Sequence, residues 1–166
     1  MQPRFSVFDR LLDSRPGVTR DTPINDAQAK RKYIEAVIRD LRWLLNSRAT
    51  PERAEEEHPE LKTSCYSYGL PDFSAVVMDR PGTDPDLPIQ SSEGRLTLAR
   101  AIKETIERHE PRLTGVAVES VEGASAEKMK LSFQVEAELA MDPEPVHVSF
   151  STDLELTRGS YEVTGG

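Results

Sequence analysis

The residues of this chain best placed to do chemistry are acids. Glu104, Glu107 and Glu110 lie close together, and Asp72 stands further back. Two such carboxylates could supply the general acid and the second carboxylate of glycoside hydrolysis. A chain with 29 acidic residues offers many such pairs, however. Glu110 also stands two residues from Arg112, and a neighbouring cation lowers a carboxyl pKa where a general acid at neutral pH needs it raised. The spacing therefore favours a structural ion pair, or one that meets a partner, over catalysis.

Other chemistry finds no foothold. His58, His109 and His147 are scattered, and no His or Cys pair has metal-ligand spacing, so each imidazole is read as a surface or half-buried side chain. Cys65 has no flanking feature of an activated thiolate and is read as a small buried hydrophobe. No G-x-S-x-G, no G-x-x-x-x-G-K-[ST] and no G-x-G-x-x-G occurs. The expectation is a protein that is not an enzyme, with no cofactor and no metal.

The acids sit at the end of an amphipathic helix. Leu98, Ala99, Ile102 and Ile106 recur at the spacing of one helical face, and Ser91 or Ser92 can cap its start. Pro111 ends it, because proline has no N–H to donate and its ring drives Glu110 out of the helical region. Glu110 and Arg112 then flank a forced corner, and in an extended segment they point to the same side.

An earlier helix is expected from about Asp26 to Ser47. Asn25 and Gln28 have capping-box spacing, and Ile34, Val37, Ile38, Leu41, Leu44 and Leu45 form its apolar stripe. Lys30, Arg31, Lys32, Arg39, Arg42 and Arg48 decorate its polar sides, for solvation or for contact with an acidic surface. Before it, Phe5, Val7, Phe8, Leu11 and Leu12 form an apolar cluster. This is either a helical turn docked on the core or an arm that docks on a partner. Between the helices lies a compact turn, Tyr68-Gly69-Leu70-Pro71-Asp72, reached through a glutamate-rich connection.

After Pro111 the apolar period drops from 3.6 to 2. Val116 and Val118 begin a strand. Met129 to Met141 alternate apolar and polar without a break, long enough to expect a bulge or bend. Asp142-Pro143-Glu144-Pro145 turns the chain. Val146 to Leu156 alternate again, and Tyr161 and Val163 mark a last short strand. The fold class is α+β: an antiparallel meander of about four strands in the C-terminal half, covered by two main helices. One domain spans 1–166. It divides into an arm and loop (1–23), a helix (24–48), loops with the compact turn (49–90), a second helix (91–110) and the meander (111–166). The last strand offers an edge that another chain's strand could extend.

Composition sets limits. A formal net charge of −8 and a pI near 5.0 argue against nonspecific nucleic-acid binding and against docking on an anionic membrane. No apolar run is long enough for a secretory signal or a membrane span, and a lone cysteine forms no internal disulfide. The expectation is a reduced, cytosolic protein.

Five motifs stand in order: FDRLL (8–12), RDLRWLLNSR (39–48), YGLPD (68–72), HEPRL (109–113) and DPEPVHVSFSTDLE (142–155). Together the set resembles the TssE family of type VI secretion baseplate subunits, within the contractile-phage baseplate wedge proteins once labelled lysozyme-like. Ser67 departs from the asparagine expected before YGLPD. The resemblance implies a structural part of a cytoplasmic wedge at the inner face of the bacterial inner membrane. It would join TssF- and TssG-like subunits and template the first ring of a TssB/TssC-like sheath. The resemblance also implies that the family's Glu-Pro-Arg motif falls on Glu110, Pro111 and Arg112, and that the strands carrying Tyr161 and Val163 form the docking edge. The alternatives are an adaptor of similar fold or a peptidoglycan hydrolase using Glu110.

Overall fold

The computed structural model describes residues 6–12, 17, 25–49, 56–71, 92–121, 130–155 and 158–165. A capping box opens each of the first two helices. In α1 (Val7–Leu11) Ser6 and Asp9 bond each other's backbone N–H, and in α2 (Asp26–Asn46) Asn25 and Gln28 do the same. Two 310 turns follow, Pro59–Thr63 and Cys65–Ser67. Helix α3 (Ser92–His109) then leads into four strands: β1 (Leu113–Val121), β2 (Lys130–Leu139), β3 (Val146–Glu155) and β4 (Ser160–Gly165). They pair antiparallel in sequence order, as the alternation predicts.

The two long helices cover one face of the sheet. α3 lies against β1, α2 against β4, and the two helices touch. Phe133, Val135 and Leu139 of β2, Phe150 of β3 and Val163 of β4 meet Val37, Leu41, Leu45, Ile102 and Ile106 in one closed core. Burying each such side chain contributes about 1.5–3 kcal/mol. The other face is wet: Glu136 and Glu138 are exposed, and the Ser132 hydroxyl donates to Asp153 Oδ1 across the pair at 2.6 Å.

Several expectations change. The α2 stripe is turned: Tyr33, not foreseen, is wholly buried, whereas Ile34 and Ile38 are only half-buried. β2 pairs with β3 in unbroken register, so the expected bulge is not there. It lies in β1, which spends an extra residue between Thr114 and Ala117 against β2, where Gly115 takes φ 63°. Cys65 is exposed, not buried; Ser67 is the buried member of its turn. Ser91, Asp72, Phe5, Met129 and Leu156, each given a part in the sequence reading, lie outside the described residues. Among the described residues, no helix is long and apolar enough to cross a membrane.

Candidate functional site

Pro111 stops α3 where the sequence requires, but the geometry is a tight turn and not an extended segment. The Glu110 N–H still bonds Ile106 O at 2.8 Å, and the Leu113 N–H closes back on Glu110 O at 3.1 Å. The turn folds Arg112 over Glu110. Arg112 Nε donates to Glu110 Oε1 at 2.6 Å and Nη2 to Oε2 at 2.5 Å, and the Arg112 backbone N–H adds a third bond to Oε1 at 3.2 Å. Glu110 is only 5% exposed, so this fork satisfies a carboxylate that water barely reaches.

The fork extends into a ladder of alternating charge. Arg112 Nη2 also donates to Asp40 Oδ2 on α2 at 2.6 Å. Arg39 donates to Asp40 Oδ1 through Nε at 3.0 Å and through Nη2 at 2.8 Å. Arg39 Nη2 also reaches Asp9 Oδ1 on α1 at 2.6 Å. Ser6 donates to Asp9 Oδ2 from its backbone N–H at 2.9 Å and its hydroxyl at 2.7 Å. Arg112 Nη1 lies 4.0 Å from Asp9 Oδ2, within ion-pair range but beyond a hydrogen bond, and Tyr33 presents its ring to the guanidinium at 5.9 Å. Glu110, Arg112, Asp40, Arg39 and Asp9 thus tie α1, α2 and α3 to the entrance of the sheet.

The electrostatics follow. Burial opposes the charge on Arg112, but the hydrogen bonds and charges of Glu110 and Asp40 outweigh it and raise its pKa. Burial likewise opposes the charge on Asp9, yet the bonds from Ser6 and Arg39 prevail and lower its pKa. This is the pattern of an ion-pair network. A general acid must carry a proton, and both Glu110 oxygens already accept from a guanidinium. Glu104 and Glu107 are exposed, and Glu107 stands 3.8 Å from Lys103 one helical turn back, so they share no buried site with Glu110. Among the described residues, no three His, Cys, Asp or Glu side chains are arranged to hold a metal.

The compact turn docks beside this ladder. Leu70 is fully buried, with its N–H on Ser47 O and its carbonyl accepting from the Ala49 N–H, both at 3.0 Å. Gly69 makes that approach possible. Its φ is 118°, and a Cβ would stand 2.5 Å from both the carbon and the oxygen of the Ser47 carbonyl. His109 Nε2 lies 2.7 Å from Ser67 O; a carbonyl only accepts, so Nε2 carries the proton. The Tyr68 ring stands edge-on to His109 at 5.5 Å. Burial raises the Tyr68 pKa, and the charges of Asp40 and Glu110 raise it further. The structure therefore brings Tyr68, Gly69 and Leu70 together with Glu110, Pro111 and Arg112. Pro71 follows Leu70 and is half-buried.

Tyr161 and Val163 lie elsewhere, on the edge strand β4, where side chains of α2 hold part of the outward margin. Their side chains are core, 4% and 0% exposed. In an antiparallel pair alternate residues turn their backbone groups outward, and α2 takes up both of Tyr161's and the carbonyl of Val163. Asn46 donates through Nδ2 to Tyr161 O at 2.8 Å and accepts through Oδ1 from the Tyr161 N–H at 2.9 Å, and Arg42 Nη2 donates to Val163 O at 3.0 Å. Arg48 Nη2 donates to Gly159 O at 3.2 Å in the preceding turn. Arg39, Arg42 and Arg48 thus each fasten one part of the fold to another, while Arg42 and Arg48 stay exposed to solvent as the basic face predicts. Asp9, Arg39, Asp40, Arg42 and Asn46 were missed as site residues. Only the Ser6-to-Asp9 capping spacing carried a legible signal.

A family model described as baseplate wedge protein gp25 matches residues 31–144. That range contains Arg39, Asp40, the compact turn and the Glu110–Arg112 fork, and leaves out α1, β3 and β4. No curated protein and no solved structure gives a significant match.

Proposed function

Because the chain belongs to the family of the baseplate wedge protein gp25, we propose that it is the TssE-type subunit of a type VI secretion baseplate. In this reading it is a structural part that catalyses nothing. It joins TssF- and TssG-like wedge subunits in the cytoplasm, at the inner face of the inner membrane, without inserting into the bilayer or binding nucleic acid. The observation that carries the reading is the family match across the stretch that holds both halves of the corner, RDLRWLLNSR and HEPRL. The corner supports a structural use, since Glu110 is held as a forked ion pair.

The sheath half of the proposal concerns β4. A strand from a TssB/TssC-like sheath subunit docks along Tyr161 and Val163 by taking the places that Asn46 and Arg42 hold. The test is co-expression of the tagged chain with TssF-, TssG-, TssB- and TssC-like proteins, and purification of what assembles. Stoichiometric wedge subunits, with sheath subunits lost after Tyr161→Pro and Val163→Pro, are expected. A chain that purifies alone beside soluble TssF- and TssG-like proteins refutes the reading.

A further inference from the structure

α2 runs along the outer side of β4 and answers it residue by residue. Asn46 bonds both the N–H and the carbonyl of Tyr161, at 2.9 and 2.8 Å, so one side-chain amide makes both bonds that a residue of a paired strand would make. The same amide also donates to Arg42 O one turn back at 2.7 Å, which holds it in this pose. Arg42, four residues before Asn46, meets Val163, two residues after Tyr161, through Nη2 on the carbonyl at 3.0 Å. The spacings agree, since four residues of helix advance about 6.0 Å and two residues of strand about 6.8 Å. One turn earlier again, Ile38 closes over Gly165, where a Cβ would stand 3.0 Å from Ile38 Cδ1. Ile38, Arg42 and Asn46 thus follow Gly165, Val163 and Tyr161 in the order of an antiparallel fifth strand. One place is left: by the same alternation the Val163 N–H turns outward, and among the described residues no group takes it.

We propose that this row is an autoinhibitory stand-in for the fifth strand. It closes the margin of β4 in the free chain and sets the affinity of that margin for an incoming strand. The strand enters at the vacant Val163 N–H, displaces Arg42 and then Asn46. Both side chains are exposed, so they swing into water without unpacking the core. The occupant must bring a backbone carbonyl to the Val163 N–H and a residue other than proline to the Tyr161 carbonyl, which needs an N–H. That it is a TssB/TssC-like sheath strand rests on the sheath reading above. The sign of the effect is distinctive. Losing an ordinary interface contact weakens binding, whereas losing an internal competitor raises the fraction of chains ready to bind and strengthens it.

The test titrates a purified TssB/TssC-like sheath complex onto the full chain, tethered sparsely so that copies do not meet. Arg42→Met removes one bond and keeps the aliphatic stem, and Asn46→Ala removes both bonds to Tyr161. Each released bond is worth about two- to tenfold in affinity, so Arg42→Met should bind about two- to tenfold tighter than wild type and Asn46→Ala about fourfold tighter or more. Trp43, the chain's only tryptophan, stands beside Arg42 with its ring edge-on to Phe8 at 5.4 Å. Its emission should be unchanged in Arg42→Met, because α2 keeps its place. Equal or weaker binding by Arg42→Met, while the wild type binds, overturns the stand-in and leaves the sheath reading standing. No binding by the wild type or by either variant overturns both.

Discussion

Arg112→Ala probes the ladder at its most connected rung. The side chain is 16% exposed and Glu110's is 6% exposed, so both charges sit largely out of water. Removing Arg112 strips Glu110 of both guanidinium bonds and Asp40 of one, and leaves Glu110 only the N–H of residue 112. Breaking a buried pair from one side costs about 3–5 kcal/mol, because the remaining charge is uncompensated. At about 2–4 °C per kcal/mol for a chain of this size, melting should fall by roughly 6–20 °C. The stranded charge is the cause, so removing it should help: Glu110→Gln added to Arg112→Ala should recover part of the loss. Thermal melts of the wild type, the single variant and the double variant check both statements. A single variant that melts within about 2 °C of wild type, or a double variant less stable than the single, would refute the reasoning.

Three further outcomes follow from the geometry. Gly69→Ala must move a Cβ out of the Ser47 carbonyl at 2.5 Å and abandon φ 118°, so a loss of about 2 kcal/mol or more is expected by urea titration; an unchanged midpoint would contradict that packing. Asn46→Ala leaves both outward backbone groups of Tyr161 without their side-chain partner, so stability should fall by about 1–3 kcal/mol. Light scattering should also show self-association through the opened edge, and a monomer at high concentration would argue against it. Asp9 has a lowered pKa, so its contribution is present above the unfolded value of about 3.9 and is lost as pH falls through the folded value. α1 should therefore loosen in acid, shifting Trp43 emission as Phe8 leaves its ring, and Asp9→Asn should show the loosened spectrum at neutral pH; identical spectra for wild type and Asp9→Asn would sink this.

The parts of the fold that repeat along the chain are legible in its sequence. The Asn25–Gln28 cap, the stop at Pro111 and the alternation through β2 and β3 each depend on residues within a few positions of one another. The ladder depends on residues far apart. Asp9 meets Arg39 across 30 positions and Asp40 meets Arg112 across 72, and no local period records such pairs. Glu110 and Arg112 could be foreseen as a pair because both belong to one turn. Tyr33 was overlooked because it stands beside Lys32, yet it lies four residues before Val37 and eight before Leu41, on the row that α2 buries. The side chains that hold the β4 margin were out of reach for a related reason. A strand that ends a sheet reads as open, and the bonds that close it come from side chains 115 positions earlier.

α2 makes both fastenings. Its Arg39 and Asp40 belong to the charged ladder, and its Arg42 and Asn46, within two turns of helix, hold the margin of β4. A helix is stiff along its axis, so the corner and the margin are the two arms of one lever. A push that rolls α2 at the ladder slackens the clasp on Tyr161, and a strand that prises off Asn46 pulls on Asp40. Hydrogen exchange at the Tyr161 N–H reads this linkage directly: it should quicken in Arg112→Ala while exchange along the β2–β3 pairing stays slow, and equal rates in both chains would mean the two arms move independently.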